Sequence, residues 1–204
     1  MNNTVKNYRA KLFGLLIINS LISGCAGTPA THFYQLSVLT KLKTSVAPRS
    51  EHLRIGVGPL ALAAVLQREQ IVTKEHDNHV AIAEFHHWAE PLQDGVLQVI
   101  TRNLTNIQPE FEFYRYAWSA YGTVDYKVII DITRLDAVLG QHADLEANWV
   151  IMNEAKHQPE LSQRTKLSFP LASDNYLDLV TRYNELLVKL TEQIAMSLGF
   201  LIHK

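Results

Sequence analysis

The sequence predicts an α+β fold, in which two helices pack on one face of a mainly antiparallel sheet. Short runs that alternate apolar and polar side chains indicate strands, and two longer runs with apolar side chains every three or four residues indicate helices. Along the chain these segments come as strands, helix, strands, helix. With 204 residues and 47% apolar side chains, the chain suits one ordinary domain with a buried core. A sheet covered by two helices on one face accounts for both apolar stripes.

The first half of the chain contains four strand-like runs and a helix. The first two strands are predicted at residues 33–38 and 53–57, and Pro59 is expected to stop the second, because proline cannot donate to the ladder. Residues 60–66 are interpreted as a short turn of helix or an irregular edge. Residues 70–74 and 79–85 predict a hairpin around a polar turn. A helix is expected to open at Pro91, with one apolar face made by Leu92, Val96, Val99, Ile100, Leu104 and Ile107.

The second half predicts three more strands and a long helix. Residues 108–123 are rich in aromatic side chains and are predicted to have an irregular structure. Strands are predicted at residues 124–135, 144–153 and 164–171, the last two pairing with each other. A helix is predicted over about residues 174–198, with Ser173 or Asp174 as its cap.

The first 24 residues are predicted to be a signal peptide. Lys6, Arg9 and Lys11 precede an apolar run of about ten residues, which is too short for a bilayer core that needs about 20. The run ends in Ile22, Ser23, Gly24 and Cys25, which resembles the recognition motif of bacterial lipoprotein signal peptidase. In such signals the cysteine is lipidated and becomes the new amino terminus. The predicted organisation is therefore a signal peptide at 1–24, a lipidated tether at 25–32 and a single periplasmic α+β domain at 33–204.

Charge and cysteine content exclude several classes of function. The 19 basic and 20 acidic residues give a formal charge of −1, and removal of the signal takes away three basic residues and leaves 16 against 20. No nucleic-acid partner is therefore expected, because phosphate binding needs a basic excess. Cys25 is the only cysteine, so an intramolecular disulfide or a multi-cysteine metal site is excluded.

No motif in the sequence predicts catalysis, a cofactor or a metal site. Nine histidines are present, but His86 and His87 are the only adjacent pair, and neighbours on a strand point to opposite faces. The glycines at 56 and 58 lack the third glycine of a dinucleotide loop, and Pro59 lacks an N–H that such a loop would offer. Residues 85–92, which include Trp88, are interpreted either as a recognition surface or as a hinge that sets the helix against the sheet.

Several runs resemble the ABC-type transport auxiliary lipoproteins, the PqiC-like lipoproteins of the paraquat-inducible system. The resemblance covers nearly all of the chain after Cys25, and its most specific parts are Gln70-Ile71-Val72 and the run from Trp88 to Leu92. Further parts are residues 33–36, 55–60, 66–74, 103–104, 128–136 and 145–149.

This resemblance implies a non-enzymatic role at the outer membrane, facing the periplasm. Such lipoproteins partner an MCE-domain protein that forms a tunnel for lipids, and Ala26 after the cysteine resembles the pattern of outer-membrane sorting. The resemblance leaves homo-oligomerisation open. The expected partner contacts are Trp88, Glu90, Pro91, Tyr116 and Trp118. The alternatives are an envelope assembly lipoprotein, acting as chaperone or pilot for another outer-membrane complex, and a lipid- or wall-modifying enzyme.

Overall fold

Eight β-strands and two α-helices form the part of the chain that the computed structural model describes, namely residues 29–38, 53–76, 78–117 and 122–202. This composition confirms the predicted α+β class. The helices are α1 (Leu92–Ile107) and α2 (Tyr176–Ile202), and a short 3₁₀ turn spans Ala64–Leu66. The strands are β1 (His32–Tyr34), β2 (Arg54–Leu62), β3 (Gln70–His76), β4 (His79–Trp88), β5 (Glu112–Arg115), β6 (Tyr126–Val138), β7 (His142–Asn153) and β8 (Gln158–Pro170).

The eight strands form one mixed sheet. Its path runs β1-β4-β3-β6-β2-β5, and β7 pairs with β6 and with β8. The β3–β4 hairpin and the β6–β7–β8 meander are antiparallel, whereas β1–β4, β2–β5, β2–β6 and β3–β6 are parallel. Because the meander contributes the longest pairings, most paired residues are antiparallel, as predicted. The helices contact each other, α1 also contacts β2 and β5, and α2 also contacts β7 and β8.

Strand β2 continues past Pro59, so the prediction that this proline ends the strand is wrong. The pairing of β2 with β6 shifts register between Val57 and Leu60, where β2 has one residue more than β6, and Gly58 and Pro59 lie at that irregularity. A bulge leaves a residue outside the ladder, so a proline there costs no ladder hydrogen bond. Residues 60–62 therefore belong to the strand, and the 3₁₀ turn follows them.

Residues 112–115 form a strand within the segment predicted to be irregular. They pair in parallel with Arg54–Val57 of β2. Four residues are too few to show a clear alternation, and the hydrogen-bond partners come from a strand more than 50 residues away. Phe111, just before this strand, is 3% exposed and belongs to the core.

The two helices bury the apolar faces that their spacing predicts. In α1, Leu92, Val96, Val99, Ile100 and Leu104 are all buried. Helix α2 begins at Tyr176, and its cap is Asn175, whose Oδ1 accepts a hydrogen bond from the Asp178 backbone N–H at 2.8 Å. The predicted cap, Ser173 or Asp174, is therefore wrong by one or two residues, since Asn175 supplies the same kind of acceptor closer to the first turn.

Candidate functional site

A cleft of about 530 Å³ lies where β1, the loop after the 3₁₀ turn, the end of β4 and the start of α1 meet. We call it the β4–α1 cleft. It brings residues 67–69 together with residues 88–92, and both belong to runs that carry the resemblance described above. Its lining residues are Phe33, Gln67, Arg68, Glu69, Trp88, Ala89, Glu90, Pro91, Leu92 and Gln93.

Trp88 is both a core residue and part of the cleft. It is only 6% exposed, and its ring stacks on that of Tyr183 in α2 with 6.3 Å between centroids. Its backbone N–H donates to the Glu69 carbonyl at 2.6 Å, which ties the end of β4 to the loop before β3. Trp88 therefore forms the floor of the cleft while it holds α2 against the sheet.

Glu90 and Pro91 lie at the amino end of α1. Glu90 Oε1 accepts a hydrogen bond from Gln35 Nε2 at 3.0 Å, and a Cβ added to Gly95 would lie 3.3 Å from the same oxygen. Gly95 thus leaves room for the carboxylate beside the first turn. A carboxylate at this position interacts favourably with the positive end of the helix dipole. Pro91 is exposed at the N-cap position.

Phe33 is a wall of the cleft that the sequence analysis did not single out. Its side chain is 67% exposed, and its ring meets the His87 ring edge-on at 6.0 Å between centroids. The sequence signal that could have identified Phe33 is an aromatic residue directly after the predicted tether. Alternation alone placed it on a strand and could not tell which face would remain exposed.

The polar residues of the loop are held by backbone carbonyls. Gln67 Nε2 donates to the Leu62 carbonyl at 2.8 Å, and Arg68 Nε donates to the Val65 carbonyl at 3.0 Å. From α1, Gln93 Nε2 donates to the Leu60 carbonyl at 2.8 Å. These bonds position the loop and the first turn of α1 relative to β2.

Of the remaining predicted site residues, Tyr116 belongs to the described part of the chain and is not among the residues that line this cleft. Tyr116 is 51% exposed and lies just after β5, where its backbone N–H donates to the Val57 carbonyl at 2.9 Å. Trp118 lies outside the described residues. The lipidation site Cys25 and the recognition residues Ile22, Ser23 and Gly24 also lie outside them.

A cluster of histidine and tyrosine rings holds β1 on β4. The His86 ring stacks on His32 at 5.3 Å and on Tyr176 at 3.9 Å between centroids, and its Nδ1 lies 2.7 Å from the Tyr34 hydroxyl. Burial and, to a lesser degree, the nearby His32 and His87 lower the pKa of His86. His87 points to Phe33 instead, so the two adjacent histidines do face different neighbours.

The described residues contain neither a cluster of side chains suited to a metal ion nor a helix suited to cross a membrane. No group of three or more histidine, cysteine or acidic side chains there could hold a metal ion. Within the same residues, neither helix has both the length and the apolar character needed to cross a membrane.

Comparison with known proteins gives one family and a set of similar structures, two of which follow. The model of the ABC-type transport auxiliary lipoprotein component family matches residues 34–195. The crystal structure of a protein described as uncharacterized has a TM-score of 0.70 and 16% identity, covering 83% of this chain and 99% of that one. A Xanthomonas campestris protein has a TM-score of 0.66 and 18% identity, covering 81% of this chain and 93% of that one. At these identities the two structures show the fold alone. No curated protein sequence matches this chain.

Proposed function

Because the chain belongs to the family of ABC-type transport auxiliary lipoprotein components, we propose that it is a non-catalytic accessory of an MCE-type intermembrane lipid transport system. In this proposal it is anchored in the outer membrane through Cys25 and faces the periplasm. Its role is to dock the periplasmic tunnel protein of that system at the outer membrane.

The β4–α1 cleft is the observation that carries this proposal. It is lined by Trp88, Glu90 and Pro91, three of the residues expected to contact a partner, and by apolar and hydrogen-bonding side chains of the kind that form binding sites. The exposed Phe33 at its wall belongs to β1, the first strand after the predicted tether in the chain.

The position of the cleft along the chain favours docking close to the membrane. Eight residue steps separate Cys25 from Phe33, and a fully extended chain of that length spans at most about 29 Å. A lipidated Cys25 would therefore keep this wall of the cleft near the lipid surface, where a tunnel that delivers lipids has to end.

A photo-crosslinking amino acid at Ala89 tests the proposal in intact envelopes. Ala89 is exposed and lines the cleft. The control position is Met196, which is 75% exposed on α2 and outside the cleft. We expect an MCE-domain protein to be captured from position 89 and not from position 196. Capture of a secretin or another outer-membrane assembly in its place would favour the envelope assembly role and overturn the proposal.

Anchoring is tested separately by Cys25→Ala. Without the thiol no diacylglycerol can be attached, so the variant should remain unprocessed or be misplaced. If Cys25→Ala still fractionated with the outer membrane as the parent does, the proposed anchor would be wrong.

A further inference from the structure

The charges of the β4–α1 cleft point to the chemistry of its occupant. We propose that the cleft receives an apolar segment of the partner protein that carries a basic side chain. This inference rests on the proposed function in so far as it takes the cleft as the docking surface.

The apolar part of the occupant is indicated by the shape and lining of the cleft. Trp88 and Leu92 form a buried floor at 6% and 4% exposure, and Phe33, Ala89 and Pro91 are exposed around it. A volume of about 530 Å³ is within the range of cavities that enclose a small ligand or a few side chains. An inserted apolar side chain would cover Phe33 and remove apolar surface from water.

The basic part is indicated by two carboxylates that form no ion pair with another described residue. Glu69, Glu90 and Arg68 line the cleft, and none of the three takes part in an ion pair within the described part of the chain. By contrast, two acidic side chains of β7 are paired: Asp144 with Arg134 at 2.5 Å and Glu146 with Arg164 at 2.7 Å. A segment that covered Glu69 and Glu90 would remove them from water, and a basic side chain offsets that cost.

The amides of the cleft keep both a donor and an acceptor. Gln67 Nε2 and Gln93 Nε2 each donate to a carbonyl of β2, which leaves each amide one N–H and its carbonyl oxygen. Among the described lining residues the basic one is Arg68, whose Nε donates to the Val65 carbonyl. Two carboxylates against one guanidinium give the lining an excess of negative charge, which favours an occupant that brings positive charge.

The same charges disfavour an anionic lipid headgroup. The amino end of α1 would otherwise attract a phosphate, but the carboxylate of Glu90 already lies beside this turn, next to Gly95. A phosphate would therefore meet two carboxylates, Glu69 and Glu90, against the one guanidinium of Arg68 in the described lining. For a lysine or arginine side chain the balance is reversed, with two attractive charges against one repulsive charge.

The test maps the peptide that is crosslinked from position 89 in the full chain. We expect a segment in which a lysine or arginine lies among apolar residues. Glu69→Gln together with Glu90→Gln should lower the crosslinking yield about fivefold, because the attraction of two carboxylates is lost. The matched control, Glu84→Gln with Glu192→Gln, removes two carboxylates outside the cleft and should leave the yield unchanged. Glu69→Lys, at an exposed position where folding is not at risk, should lower the yield at least as strongly.

Three results would overturn the inference. They are a crosslink to phospholipid, a crosslinked peptide without a basic residue, and a crosslinking yield that does not change when the charges of residues 69 and 90 are removed. These failures are separable from failure of the proposed function. An MCE-domain peptide that lacks a basic residue would refute the inference and leave the function standing. A basic, apolar peptide from another class of protein would support the inference and refute the function.

Discussion

Replacing Thr165 with valine should destabilise the domain, because its hydroxyl connects three elements. Trp149 Nε1 of β7 donates to Thr165 Oγ1 of β8 at 3.0 Å, and that hydroxyl donates to Gln193 Oε1 of α2 at 2.6 Å. Trp149 and Thr165 are 1% and 3% exposed. Valine has nearly the same shape, so no cavity forms and the loss reports on hydrogen bonding.

The magnitude follows from what the substitution leaves behind. The Trp149 N–H would be buried without an acceptor, which costs about 1–3 kcal/mol, whereas half-buried Gln193 can bond to water and loses about 0.5–1 kcal/mol. The expected loss is therefore about 2–3 kcal/mol, or about 5–10 °C in Tm for a domain of this size.

A double-mutant cycle with Trp149→Phe separates the two bonds. In the phenylalanine background no buried N–H is left without a partner, so Thr165→Val should cost only about 0.5–1 kcal/mol there. Urea unfolding followed by far-UV circular dichroism measures all four proteins without relying on tryptophan fluorescence. Equal costs of Thr165→Val in both backgrounds, or a single-variant loss below about 0.5 kcal/mol, would refute the reasoning.

Three further predictions concern stability. The pKa of His86 lies below its ordinary value, so the folded state binds fewer protons than the unfolded chain, and stability should fall as the pH drops below about 6.5. His86→Phe should flatten this fall between pH 7 and 5 in urea titrations, and an unchanged profile would contradict the assignment. Arg134→Met removes the partner of three acidic side chains and should cost about 1–2 kcal/mol, whereas Lys189→Met in an exposed pair should cost less than about 0.5 kcal/mol; equal losses would contradict this. Gly58→Ala should lower the free energy of unfolding by about 2 kcal/mol or more, because φ is +114° and the new Cβ would lie 2.6 Å from another Cβ. Gly140→Ala has a φ of +71°, but its new Cβ would make only ordinary contacts, the nearest 3.8 Å from Asp174 Cβ, and it should cost about 1 kcal/mol. A reversed order of the two variants in thermal melts would refute the argument.

The helices and the long strands were predictable because their signals are local. The apolar stripes of α1 and α2 each span several turns, and the β3–β4 hairpin has its turn signal in place. The predictions that failed concern segments whose strand partners are distant in sequence. Pro59 sits in a bulge that only the β6 partner defines, and Glu112–Arg115 becomes a strand because β2 lies beside it.

The candidate site was predictable in part for the same reason. Trp88, Glu90 and Pro91 were singled out because they lie within one short, chemically distinctive run. Phe33 and the loop residues at 67–69 reach the same cleft only after β1 and β3 both pair with β4, which no local pattern shows. Burial of Trp88 against Tyr183 depends likewise on α2, almost 100 residues later in the chain.

The most direct test of the central claim compares two exposed phenylalanines in binding to the tunnel protein. Phe33 is 67% exposed at the wall of the β4–α1 cleft, and Phe200 is 71% exposed on α2 outside it. The measurement is the Kd of the purified full chain for the purified MCE-domain protein. If the cleft is the docking surface, Phe33→Ala should weaken binding about tenfold, as loss of a central aromatic contact does, while Phe200→Ala should leave the Kd unchanged. Unchanged affinity in Phe33→Ala, or a loss confined to Phe200→Ala, would contradict the claim.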